Sequence, residues 1–223
     1  MNFLQIIIAT LSTLSIAVLL AEVYQAASVY ISEGWLASAV INSIFSVVLI
    51  VFLAKFRPEA LKAFSLKVKA GSYKIAFLPA LLILVGSLGA VLISSNFGEI
   101  PKTTYVNTQN IYWIFWIPVV EEIIFRFGFG RVFRNRLGMY WGAWYSSILF
   151  ALMHSNPTAA NLLSGELGIS LGPLLLAFCC EFLLIKTGRL WPAILFHAAC
   201  NATPLIFSLF DSRWLSWLEM LYI

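Results

Sequence analysis

Glu121 and Glu122 stand side by side in an otherwise apolar run, with Arg126 four residues after the second acid. Ile111 to Val120 precede them without a charge. The chain has two histidines, His154 and His197, each in another apolar stretch, and Asn201 follows His197 by one helical turn. These residue types can do hydrolytic chemistry together. A carboxylate beside a neutral imidazole can take a proton from water and make a nucleophile. An imidazole and a side-chain amide can donate hydrogen bonds to a developing oxyanion, and such donors count for more in a low-dielectric site than in water. No Ser or Cys sits in a recognised nucleophile motif, so water is the expected attacker and amide hydrolysis the natural reaction class. The plainer reading of the same charges is a buried ion pair that locks helices together.

Helical spacing separates the two acids. Residues four apart share a helix face, so Arg126 is placed to neutralise Glu122. Glu121 is turned about 100° away and needs another partner. Phe150 lies one turn before His154 and is placed to pack on its ring, and His197 and Asn201 share a face. Measured from the ends of their helices at about 1.5 Å per residue, Glu121, His154, His197 and Asn201 lie roughly 12–22 Å deep, which fits one layer of a bilayer interior.

A bilayer is what the composition requires. Of 223 residues, 61% are hydrophobic and 11% charged, against roughly 25% charged in soluble domains. The mean hydropathy is +0.91. Each charge near a bilayer centre costs about 2.5–3.5 kcal/mol on an insertion scale, and intramembrane ionisable groups default to functional roles for that reason. The apolar runs are continuous rather than alternating, which argues for helices and against a β-barrel. The expected fold is all-α, a polytopic helical bundle of about seven spans near residues 3–24, 35–56, 75–95, 110–133, 139–154, 169–185 and 190–210, in one integral membrane domain over 1–223. Residues 211–223 are too short to cross. Trp214, Trp217, Leu218 and Leu221 suit a short helix lying in the interface. The first apolar run has no basic flank and outlasts a signal h-region, so it is expected to be retained as a span.

Most of the 14 basic residues fall in three connections: Lys55, Arg57, Lys62, Lys67, Lys69 and Lys74; Arg131, Arg134 and Arg136; and Lys186 and Arg189. With seven spans all three lie on one side, whereas Lys102 and Arg213 lie on the other. The positive-inside rule then puts the N-terminus in the cytoplasm and the C-terminus outside. This pattern, not nucleic acid, accounts for the net charge of +4. Trp113, Trp116, Tyr140, Trp141, Trp144 and Trp191 fit an aromatic belt. Gly138 and Gly142, and Gly168 and Gly172, are small-residue pairs that would admit close helices. Cys179, Cys180 and Cys200 have no metal spacing and read as small buried residues. Glu181, an acid inside an apolar run, is expected either to pair with Lys186 or to line a cavity.

Glu-Glu-x-x-x-Arg at 121–126, Phe-x-x-x-His at 150–154 and His-x-x-x-Asn at 197–201, in this order on separate helices, resemble the CPBP family of CAAX proteases and bacteriocin-processing enzymes. These are glutamate-dependent intramembrane proteases that include the type II CAAX prenyl endopeptidases. The resemblance runs from Trp113 to Ala202. It implies variable N-terminal spans over 1–108 and catalytic-core spans over 109–210. It implies that Glu121 activates water with His154, that His197 and Asn201 form the oxyanion site, and that Glu122 and Arg126 support the first carboxylate. The family often has Gly directly after the motif Arg. Here Phe127 intervenes before Gly128, a departure on the substrate side. The implied partners are the lipid bilayer and a membrane-associated protein or peptide: a prenylated CAAX tail, a leader peptide, a peptide pheromone or the anchor of a sorted protein. The short length and the absence of eukaryotic trafficking signals favour a bacterial cytoplasmic membrane.

Two other readings of these residues stand beside the protease. In a zinc-dependent version, Glu121, His154 and His197 would supply a His₂Glu set. No His-Glu-x-x-His helix is present and Glu122 is already claimed by Arg126, so no cofactor is expected, with zinc the minority alternative. A non-enzymatic scaffold, immunity protein or carrier of the same family could use the same buried groups as a relay, but the chain has no inverted repeat of the kind carriers show.

Overall fold

The computed structural model describes residues 3–28, 34–68, 72–95, 108–155, 157–165 and 168–208. The expected interfacial helix at 211–223, with Arg213, and the residues Lys69 and Lys102 lie outside them. Among the described residues every regular element is helical. They are α1 (Phe3–Ser28), α2 (Gly34–Phe56), a 3₁₀ helix (Pro58–Phe64), α3 (Tyr73–Ser95), a composite helix α4 over 108–137, α5 (Met139–Met153), a short α6 (Ala159–Ser164), α7 (Leu171–Thr187) and α8 (Trp191–Ser208).

Each expected span is a helix, but the count of seven crossings is not reproduced by length and apolarity. Leu4–Val23, Ala39–Phe56 and Tyr73–Ala90 are long and apolar enough to cross a membrane. Only about a fifth of the residues in these windows are buried in the molecule, so their apolar surface is left for lipid. α5 has 15 residues, about 22 Å of helix against a hydrocarbon core of about 30 Å. It is the central strut: Ser146, Ser147, Leu149, Phe150, Ala151 and Leu152 are all buried, and α5 packs on α1, α4 and α7. α8 packs on α3 and α7.

α4 and α5 form a hairpin closed by one residue. Gly138 has φ +83, a backbone region open to glycine, and its N–H caps the Arg134 carbonyl at 3.1 Å. Gly142 faces the backbone of Arg134, where a Cβ would come within 2.3 Å of the Arg134 nitrogen. The Gly138/Gly142 spacing therefore serves a tight turn, and Gly168 of the other pair has nothing within 4 Å of where its Cβ would be.

The basic connections meet on one face. Arg189, between α7 and α8, donates to the carbonyls of Lys67 at 2.6 Å and Lys62 at 2.8 Å. Arg131, near the end of α4, pairs with Glu59 of the 3₁₀ helix at 3.6 Å. The Leu190 N–H bonds to the Ala63 carbonyl at 2.8 Å. Thus the 57–68 connection is the plate on which the ends of α4, α7 and α8 are fastened.

Candidate active site

The site is built on α4, which is not a uniform helix. Tyr112–Trp116 and Glu122–Phe129 are π-helical, with wider i→i+5 turns. Pro118 accounts for part of this. In the π register its nitrogen would bond the Trp113 carbonyl, but proline has no N–H to give. The Asn201 side chain from α8 fills that place, its Nδ2 donating to the Trp113 carbonyl at 2.9 Å. In the second π segment the Phe125 carbonyl accepts from Gly130 N–H and also from Ser146 Oγ at 3.0 Å.

Glu122 and Arg126 are both fully buried and pair within the helix, Nε to Oε2 at 3.2 Å. The Arg126 guanidinium lies over the Phe150 ring, 4.4 Å from its centroid, a cation–π contact in a desolvated place. The other Glu122 oxygen accepts from His197 Nδ1 at 2.9 Å. Spacing pointed to Arg126 as the partner of Glu122; the structure adds His197, a contact between α4 and α8 that no local spacing could show. Glu121, turned aside as its position in the helix requires, has His197 Nε2 at 3.5 Å. His197 is thus gripped by one carboxylate on each ring nitrogen.

His154 caps the C-terminus of α5 and is exposed. Its Nδ1 donates to the Phe150 carbonyl at 2.9 Å, which leaves Nε2 as the acceptor of the neutral ring. Phe150 packs on His154, with ring centroids 4.4 Å apart, and meets His197 edge-on at 5.7 Å. The residue after His154 is pinned as well: Ser155 Oγ accepts from Ser170 N–H at 3.2 Å, tying this end of α5 to the start of α7.

Glu121, His154, His197 and Asn201 all line one cavity of about 740 Å³. Its other walls are largely apolar, with Ile117, Leu176 and Phe196 among them. Glu122 and Arg126 sit behind the cavity wall and do not line it. Among the described residues, no hydrogen bond joins His154 to Glu121; the two share the cavity.

A different trio from Glu121, His154 and His197 has metal-ligating atoms within 4.8 Å of one another: Glu122, Cys180 and His197. Their donors are already engaged, Glu122 with Arg126 and His197 and the Cys180 thiol with the Ala193 carbonyl at 3.6 Å. Cys180 and Cys200 are buried, as small apolar residues would be, whereas Cys179 is exposed. Glu181 pairs with Arg134 of α4, not with Lys186 of its own helix, and does not line the cavity. Lys186 rests instead over the Phe182 ring. Arg134, Ser146 and Cys180 are the neighbours that sequence reasoning missed. A proline inside α4 and an unmatched acid inside α7 were the available signals.

No curated protein and no solved structure matches the chain. The family model for the type II CAAX prenyl endopeptidase Rce1-like proteins matches residues 103–203, a segment that contains all six site residues and leaves α1 to α3 outside. Over this segment, a little under half of the chain, the sequence is similar to the Rce1-like type II CAAX prenyl endopeptidases.

Proposed function

We propose that the protein is an intramembrane endopeptidase that hydrolyses a peptide bond of a membrane-associated substrate with water activated by Glu121 and His154. The observation that carries this reading is the convergence of Glu121, His154, His197 and Asn201 on one otherwise apolar cavity, with Glu122 and Arg126 held behind it. Glu121 and His154 Nε2 each offer a lone pair to a water between them. The water loses a proton as its oxygen attacks the peptide carbonyl, and the proton passes to the leaving amine as the C–N bond breaks. The oxyanion is received on the α8 side. His197, whose Nε2 lies 3.5 Å from Glu121, is assigned to the oxyanion site. Asn201 has a second amide N–H beyond the one given to Trp113. Glu122 and Arg126 do not touch substrate; they hold His197.

The similarity to type II CAAX prenyl endopeptidases makes a prenylated CAAX peptide the first substrate to try. The apolar walls suit a lipidated chain or an extended apolar peptide. Glu121→Gln and His154→Ala should each abolish its cleavage while the protein remains folded and inserted; a Glu121→Gln protein with full activity contradicts the mechanism.

In this reading the chain lies in a bacterial cytoplasmic membrane, crosses it seven times, and has its basic 57–68 face in the cytoplasm. The short helices α5 and α7 cross because the rest of the bundle surrounds them. A thiol introduced by Lys62→Cys should react with a membrane-impermeant maleimide only when the cytoplasmic face is opened. Labelling from the outside reverses the orientation.

A further inference from the structure

Glu181 is a buried acid within the bundle that the proteolytic scheme leaves unused. It sits on α7, 1% exposed, and its partner Arg134 lies eight residues beyond Arg126 on α4. Arg134 makes two directed contacts at once. Nη1 pairs with Glu181, and Nη2 donates to the main-chain carbonyl of Arg126 at 2.9 Å. That carbonyl lies inside the π-helical turn carrying Glu122 and Arg126, and the carbonyl before it, Phe125, is taken by Ser146 Oγ. Gly130 closes the assembly. A Cβ there would lie 2.6 Å from Glu181 Oε1, 2.8 Å from the Phe125 carbonyl and 2.9 Å from Arg134 Nη1. Side chains from α4 and α5 therefore hold two consecutive carbonyls of one turn, and Glu181 of α7 holds the first of those side chains.

A π turn is a costly register that persists where its surroundings hold it. If it relaxed to an α-helix, the side chains on either side would rotate relative to each other, and the grip of Glu121 and Glu122 on His197 would loosen. We infer that Arg134 and Glu181 are positioning residues for proteolysis: the Arg134 fork, anchored by Glu181, sets the register of the turn that aims the two glutamates at His197. The inference rests on the proteolytic reading above. It differs from a simple ion pair in needing both arms of the guanidinium. A lysine has a single ammonium head and cannot reproduce the planar fork.

The test is steady-state kinetics of the full chain in nanodiscs on a prenylated CAAX peptide, with melting temperature measured in parallel. Arg134→Lys should keep a melting temperature near wild type, because a cation still faces Glu181. Its kcat should fall by on the order of ten- to a hundredfold, as small misplacements in active sites do, with KM within about twofold. Glu181→Gln, which covers the case where Arg134→Lys does not fold, should lower the kcat of the folded protein by a similar factor with KM within about twofold, even where its melting temperature falls. Lys186→Gln, on the same helix but outside the network, should leave both constants unchanged. A wild-type kcat in Arg134→Lys or Glu181→Gln overturns the inference while leaving proteolysis intact. So does a loss that only follows the fraction of folded protein. A wild-type protein that cleaves no peptide removes the proteolytic reading itself, and the inference with it.

Discussion

Glu121 and Glu122 are neighbours in the chain that live in different surroundings. Glu122 is fully buried between Arg126 and His197, whereas Glu121 is 14% exposed and opens onto the cavity. Neutralising each should therefore have different consequences. Glu122→Gln strips a buried guanidinium of its counter-charge, a change that costs about 3–5 kcal/mol when one member of a buried pair is removed. It should lower both the melting temperature and activity. Glu121→Gln should spare the melting temperature and remove activity alone. Equal thermal stability in the two variants would show that Glu122 is not the structural member of the pair. The division was legible in the sequence because helical spacing is local: Glu122 and Arg126 are four apart, and Phe150 and His154 are too. His197 on Glu122, Asn201 on the Trp113 carbonyl and Arg134 on Glu181 were not legible. Each joins residues dozens of positions apart, and spacing along a chain carries no information about which helix comes to rest beside which.

The elements hold these side chains by close backbone approach more than by side-chain size. At Gly142 a Cβ would come within 2.4 Å of the Arg134 Cα, so the α4–α5 hairpin must open to admit one. Opening it would withdraw Ser146 from the Phe125 carbonyl and loosen Arg134. Gly142→Ala should cost at least the 1–3 kcal/mol typical of overpacking, about the same range or above because backbone cannot swing aside. Gly168→Ala, with open space around it, should leave the melting temperature unchanged. If the two glycines tolerate alanine equally, the hairpin is not close-packed as described. The helices were legible from apolar runs, with α5 and α7 placed to within a few residues. The π turns in α4 were not, because they depend on which donors reach its carbonyls from α5 and α8. The 3₁₀ helix Pro58–Phe64 was hidden for a similar reason: it is fastened by Leu190 and Arg189 from the far end of the chain.

Among the described residues, two groups of charge stand apart. The basic connections meet on one face through Arg189 and Arg131, and Glu122, Glu181 and His197 are buried within the bundle. Clustering of Lys and Arg in alternate connections foretold the first group, since loop charge is a local property. The three long apolar helices precede the segment that matches the protease family, and their largely unburied surface is what lipid would cover. α4, α5 and α8, which carry the site, are shorter or interrupted by charge, so hydropathy alone does not count them as spans. Intramembrane proteolysis makes one demand on the molecule as a whole: a substrate in the same membrane must accumulate when the water-activating carboxylate is lost. The most direct measurement is quantitative mass spectrometry of membranes carrying either the wild-type protein or Glu121→Gln at equal abundance. The account predicts that at least one membrane-associated precursor persists uncleaved in Glu121→Gln membranes, while wild-type membranes contain its two products, newly ended at a single peptide bond. Identical cleavage patterns, with wild-type amounts of both products in the presence of Glu121→Gln, would contradict it.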